Sequence, residues 1–329
     1  MRLALVTLLV GSLLGAVPAV AAEPDSSGEQ VGSRPVQYDV RNLNRTPVPC
    51  GADRAPYTLR GRLVGPAGGG TPERVNVLVH DITTGGWFWH LRAHPGYDYA
   101  TQLAMRGETS LVLDRLGYDD SPMADGMKTC LGAQADMLHQ VVAQLRADGV
   151  DEVVLHGHSV GAAVAELEAA TFRDVDGLVL MSWADLGPSP RAIKEALLQH
   201  TACLTGRRYA PYGRTAEDFR ELLFATAPAD VVATATRLRN PDPCGDALSL
   251  APVVAVNNVV TRLIRVPVLL LFAGADALNR PDARRLQPLA YAPAAPVTTH
   301  VVAGAGSALP LEASAAQTRE HVLAWLGTL

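Results

Sequence analysis

Asp151-Glu-Val-Val-Leu-His-Gly-His-Ser-Val-Gly-Ala-Ala-Val-Ala165 joins a β-branched apolar run to a string of small helix formers. Val153 to Leu155 reads as a buried strand, and Ala162 onward as a helix whose small side chains allow close packing. Between them lies Gly157-His158-Ser159-Val160-Gly161. Composition alone produces Gly-x-Ser-x-Gly roughly one time in ten in a chain of this length. The strand before it and the helix after it are therefore what carry the reading. Flanking glycines let the backbone bend sharply and bring strand and helix together. A serine held in such a turn, at a strand's carboxyl end, is placed as a nucleophile, and Ser159 is the candidate.

The 329 residues are 48% hydrophobic and 19% charged, with a formal net charge of −5, which is globular composition without a basic footprint for nucleic acid or anionic membrane. Residues 1–22 read as a secretory signal peptide. Arg2 supplies the positive start, Leu3 to Leu14 the apolar stretch, and Val20-Ala21-Ala22 a small-residue cleavage site. The apolar stretch is short for a membrane span, so the expected mature chain is secreted and has no integral membrane segment. In that compartment Cys50, Cys130, Cys203 and Cys244 read as disulfides; no C-x-x-C pair points to zinc or redox work. Four cysteines allow three pairings. The preferred one is Cys203–Cys244 within an insertion and Cys50–Cys130 tying the N-terminal segment to the core.

Residues 23–56 are rich in Ser, Gly, Pro and Arg and read as an irregular segment ahead of a domain spanning 57–329. Tyr57–Val64 alternates as an early antiparallel strand, with Gly65–Gly70 read as a hairpin turn. Strands are expected at Arg74–Val79, Ser110–Asp114, Gly177–Ser182, Val266–Phe272 and Val297–Val302, and helices at Leu131–Ala147, up to about Phe172, and Ala313–Leu326. Alternation of strand and helix implies an α/β fold, a mostly parallel central sheet flanked by helices, with ligands at the strands' carboxyl ends. Ser182 to Val266 is too long for a bare connection and reads as a helical insertion, at about residues 185–262.

This order of elements from Tyr57 to Leu329, centred on Gly157-His-Ser-Val-Gly161, resembles the α/β-hydrolase fold superfamily. The resemblance implies that the insertion is a cap, and that the catalytic residues come in chain order serine, acid, histidine. By position it assigns Ser159 as nucleophile, Asp276 at the end of Leu269-Leu-Leu-Phe-Ala-Gly-Ala-Asp276 as orienting acid, and the N–H groups of Ile82 and Val160 as oxyanion donors. Asp185 is the reserve acid. Two departures stand out. Relatives commonly carry His-Gly where this chain has His80-Asp81, which adds a side chain beside a site meant for an anion. The loop Ala303-Gly-Ala-Gly-Ser307 has serine where the histidine belongs, and serine cannot act as imidazole does near neutrality.

No other histidine has the motif's support as base: His300 lies on a strand, His321 in the closing helix, and His156 and His158 flank Ser159 but point away from it, while His80, His90 and His94 near the oxyanion loop are the more reachable. The expected chemistry is acyl transfer to water on a hydrophobic ester or lactone, with Ser307 in the base position. The alternatives are cyclisation or isomerisation in the same pocket, or a ligand-binding protein without turnover. Leu197, Leu198, Phe219, Leu222, Leu223 and Phe224 supply an apolar cap. The spacing of histidines and acids offers no metal motif, and no cofactor is called for. A histidine restored at 307 is expected to raise activity if the rest of the frame is competent.

Overall fold

The computed structural model describes residues 31–68 and 70–329. The signal-peptide reading of residues 1–22 lies outside them. Eight strands form one sheet: β1 (Val31–Arg41), β2 (Pro56–Pro66), β3 (Arg74–Val79), β4 (Ser110–Leu113), β5 (Glu152–His158), β6 (Gly177–Met181), β9 (Val268–Ala273) and β10 (Val297–Val302). Their order across the sheet is β1-β2-β4-β3-β5-β6-β9-β10, with β7 (Tyr209–Ala210) and β8 (Asp242–Pro243) paired separately. From β4 to β10 every pairing is parallel, while β1–β2 and β2–β4 are antiparallel. The central strands are near-continuous Val/Leu runs because helices cover both faces. Val77, Leu78, Val153, Val154, Leu155, Leu178 and Leu269 are all fully buried.

Two expectations for the first third of the chain are corrected. Residues 23–56 are not wholly irregular, since 31–41 form β1, whose Tyr38 and Val40 face Leu59 and Tyr57 of β2. Its apolar alternation is diluted by Gly32, Ser33, Arg34 and Pro35, which an edge strand with one wet face tolerates. The glycine run after β2 is not a hairpin turn either. β2 and β3 are not neighbours, because β4 lies between them, so the run is a crossover.

The helices are α1 (Tyr99–Ala104), α2 (Leu131–Ala147), α3 (Val160–Phe172), α4 (Pro190–Leu204), α5 (Ala216–Leu223), α6 (Ala229–Leu238), α7 (Cys244–Val260), α8 (Ala283–Leu286) and α9 (Ala315–Leu326). α4 to α7 fill the expected insertion between β6 and β9. α5 starts on a capping box in which Thr215 and Asp218 satisfy each other's backbone N–H, and it buries Phe219, Leu222 and Leu223. Cys203–Cys244 joins the end of α4 to the start of α7, and Cys50–Cys130 ties the segment after β1 to the start of α2. Both are the preferred pairings. The stretch Cys244–Leu263 is long and apolar enough to cross a membrane by length and composition. It packs along α2, α3 and α4.

α7 is also anchored by charge. Arg115 Nη1, just past β4, donates to Asp246 Oδ2 at 2.9 Å, and both side chains are buried. Tyr118 Oη and Gln134 Nε2 donate to the same carboxylate at 3.3 Å. Burial opposes the charge on Arg115, but Tyr118 and Asp246 hold its guanidinium above its ordinary value.

Candidate active site

β5 delivers Ser159 into the turn, and α3 leaves it. Ser159 has φ 50° and ψ −120°, a left-handed conformation that an L-residue keeps only when its surroundings enforce it. The flanking glycines show what enforces it. A Cβ on Gly157 would lie 2.4 Å from the Ala162 Cα, and one on Gly161 would lie 2.3 Å from the Val79 carbonyl oxygen. Helix α3 is thus pressed against β3 and β5. The Ser159 N–H is tied to the Met181 carbonyl at 2.8 Å, and the turn cannot relax.

The floor of a cleft of about 590 Å³ is formed by Asp81, Ile82, Ser159 and Val160. Its walls are mainly apolar: Ala196 and Leu197 come from α4, Leu250 and Val254 from α7, and Leu278 from the loop after β9. That size and lining suit one hydrophobic small molecule. Of the six apolar cap residues named from the sequence, only Leu197 lines the cleft; Phe219, Leu222 and Leu223 are packed in the core. Two more polar depressions of about 600 and 800 Å³ lie along β1 and β2, away from Ser159.

The position that the resemblance assigns to an oxyanion is occupied by the chain's own carboxylate. The Val160 N–H donates to Asp81 Oδ1 at 2.9 Å. Burial pushes the Asp81 carboxyl up to about 7, while the Val160 N–H, the Ser159 hydroxyl, Arg115 and the Ile82 N–H pull it back toward the charged form. One of the two assigned oxyanion donors, the Val160 N–H, is therefore already taken by Asp81. Its loop is held from the cap, where Asp242 accepts from the Thr83 N–H at 2.5 Å and from Gln199 Nε2 at 2.6 Å. Asp242 is likewise pushed up to about 7, first by burial.

The remaining family positions are engaged elsewhere. Ser307 is fully buried, and its hydroxyl has no hydrogen-bond partner. Its carbonyl oxygen accepts from His158 Nε2 at 2.9 Å and from Ser182 Oγ at 2.8 Å. Asp276 accepts from the Leu278 N–H at 2.8 Å and from Asn279 Nδ2 at 2.9 Å, the bonding of a turn-forming aspartate. Asn279 Nδ2 also donates to the Ser182 carbonyl at 2.9 Å. Asp185 is buried and accepts from Trp183 Nε1 at 3.1 Å and Gln287 Nε2 at 2.9 Å. Burial and Asp185 push the neighbouring Glu166 well above the carboxylate range, so the pair holds a proton.

The histidines follow suit. His80 Nδ1 donates to the Asp81 carbonyl at 2.7 Å and Nε2 accepts from the Arg115 N–H at 3.1 Å; burial and Arg115 keep it neutral. His158 stacks on Phe88 with ring centroids 4.4 Å apart, and burial lowers it to about 4. His300 stacks on His321 at 4.1 Å, on β10 at the sheet edge, three strands from β5. Among the described residues one histidine lines the cleft, His200 of α4, which sequence reasoning passed over because it sits in the cap. The placement of the Asp81 carboxylate against the Val160 N–H was visible only as a departure from glycine.

These contacts predict the outcome of Ser307→His. The site is solid protein, its backbone is pinned by His158 and Ser182, and Asp276 is already paired with Asn279. The variant is expected to gain less than about tenfold in ester hydrolysis and to lose about 1–3 kcal/mol of stability through overpacking, measured by initial rates and urea unfolding. A gain of several orders of magnitude would show that the frame is still competent.

The comparisons agree with this architecture. No curated protein matches the chain by sequence. Among solved structures, an esterase from Thermogutta terrifontis superposes with a TM-score of 0.67 at 20% identity, covering 88% of this chain and 98% of that one. An esterase from Exiguobacterium antarcticum gives 0.64 at 14% identity (84% and 98% covered), and a Paleococcus ferrophilus monoacylglycerol lipase gives 0.60 at 17% (90% and 98%). At these identities the likeness is one of fold. The model of the Alpha/beta hydrolase family matches residues 77–320, most of the described chain including Asp81 and the turn that carries Ser159, and the chain belongs to that family.

Proposed function

We propose that this protein is a secreted enzyme that hydrolyses an ester or lactone of a hydrophobic small molecule, with Ser159 as nucleophile and Asp81 in place of the histidine as proton acceptor. One observation carries the reading. The Asp81 carboxylate accepts from the N–H of Val160, the residue after Ser159, at the floor of an apolar cleft that both line, and burial pushes it up to about 7. A base with that pKa is matched to work near neutrality. In the step, Ser159 Oγ bonds to the acyl carbon and its proton passes to Asp81. The single negative charge of the hole moves from carboxylate to acyl oxygen, and the neutral carboxyl releases the Val160 N–H to it, with the Ile82 N–H as the second assigned donor. Asp276 and Ser307 then keep only structural parts, holding the loops around Ser182. Two disulfides and the N-terminal sequence support secretion.

A second reading is proton transfer without an acyl-enzyme, as in a cyclisation or isomerisation. It is favoured by the Asp81–Val160 bond itself, which leaves a substrate carbonyl without that donor until Asp81 moves. A panel of p-nitrophenyl esters separates the two. Hydrolysis of medium-chain esters well above that of acetate, abolished by Ser159→Ala, supports the first reading. Absence of ester turnover in the folded protein refutes it. His200→Phe serves as the cap control and is expected to change KM rather than kcat.

A further inference from the structure

Away from the cleft, α2, α3 and the loop after α3 bring His139, Glu168 and Asp174 together, each offering one ligand atom, all within 4.8 Å of one another. An acidic cluster alone means little, but this one contains a group that the fold leaves unexplained. Glu168 is fully buried and neither carboxylate oxygen has a hydrogen-bond partner; Asp174 Oδ1 has none either. Thr171, one turn further along the same face of α3, leaves a buried hydroxyl without a partner. Unpartnered buried carboxylate oxygens are costly, and native structures satisfy them with a partner, a proton or an ion.

We propose that His139, Glu168 and Asp174 form a structural site for a divalent cation of the zinc class, which staples α2 to the C-terminal end of α3. One imidazole and two carboxylates fit such a cation, with water completing the shell. Tetrahedral ligands at the usual bond lengths lie about 3.3 Å apart, so binding would draw in the more distant groups and open the 2.6 Å hydrogen bond between His139 Nδ1 and Asp174 Oδ2. The imidazole ring is held in place by stacking on Phe172 with centroids 4.0 Å apart. His139 and Asp174 side chains are 23% and 25% exposed, which gives the ion a route in from solvent. The site lies about 13 Å along α3 from Ser159, so it acts on stability and not on the reaction.

The competing occupant is a proton. Burial, and then the Asp174 carboxyl, push Glu168 well above the carboxylate range, so without an ion it is a neutral acid. Binding would displace that proton.

The test uses the mature protein, stripped with EDTA and desalted, then given ZnCl2 in slight excess. The expected results are one zinc per chain retained after a second desalting, by elemental analysis, and a rise in Tm of roughly 5 °C. Glu168→Gln and, separately, His139→Phe, which keeps the stack on Phe172, are expected to lose both retention and shift. Failure of the wild-type protein to retain zinc or gain stability overturns the proposal in favour of the shared proton. So does an undiminished response in both variants. The metal content of the wild type decides the matter even if a variant does not fold.

Discussion

Asp81→Asn is expected to lower ester hydrolysis by about 10²–10⁴, the usual contribution of a positioned general base, and to remove the rise of the rate with pH. The amide keeps the shape and can still accept from the Val160 N–H, so the elbow and the cleft remain. It cannot take the Ser159 proton. In the wild type kcat/KM is expected to climb as pH passes through about 7, where the Asp81 carboxyl gives up its proton. The same shift has a stability consequence. The Asp81 carboxyl is raised in the fold from 3.8 to about 7, so its contribution is fully present below the unfolded value and is lost as pH rises through about 7. Asp81→Asn is therefore expected to be relatively more stable than wild type at pH 8 than at pH 5, by urea unfolding. Activity that survives the substitution would move the base elsewhere, with His200 first in line.

The largest stability effect is expected at the buried ion pair. Asp246→Ala leaves the Arg115 guanidinium charged, buried and without its carboxylate, a change that typically costs about 3–5 kcal/mol. Against a total stability of about 5–15 kcal/mol, that brings the chain close to unfolding. Removing both charges, as Arg115→Met with Asp246→Leu, is expected to recover most of the loss, because the desolvation cost disappears along with the attraction. Urea unfolding of Arg115→Met, of Asp246→Leu and of the double variant gives the coupling directly. The pair also reaches the site. The Arg115 N–H and Nε bond to the His80 imidazole and carbonyl, so losing Asp246 loosens the loop that presents Asp81. A single variant as stable as wild type would mean that the packing of α7 along α2, α3 and α4, not the pair, secures it.

The central parallel strands were legible because they are buried on both faces and read as nearly unbroken Val/Leu runs; the edge strand Val297–Val302 is mostly exposed, yet it and the helix Leu131–Ala147 match residue for residue. β1 was hidden because an edge strand needs few apolar side chains and tolerates Pro35. The elbow was legible because steric necessity writes it in glycine. What surrounds Ser159 was only half legible. The sequence shows that Ser307 is not histidine and that Asp81 is not glycine, but whether a side chain points into the oxyanion hole is decided by the turn around Thr83, itself held by Asp242 some 159 residues away. Likewise His200 enters the cleft only because the Cys203–Cys244 bridge and the packing of α4 on α7 set the cap.

The central claim, that Asp81 activates Ser159, is tested most directly by the rate of covalent labelling with a fluorophosphonate, followed by intact mass, from about pH 5 to pH 9. One adduct at Ser159, forming faster as pH rises through about 7 in the wild type and slow at every pH in Asp81→Asn, is the predicted result. No adduct in the folded protein, or the same rate in both proteins, would contradict it.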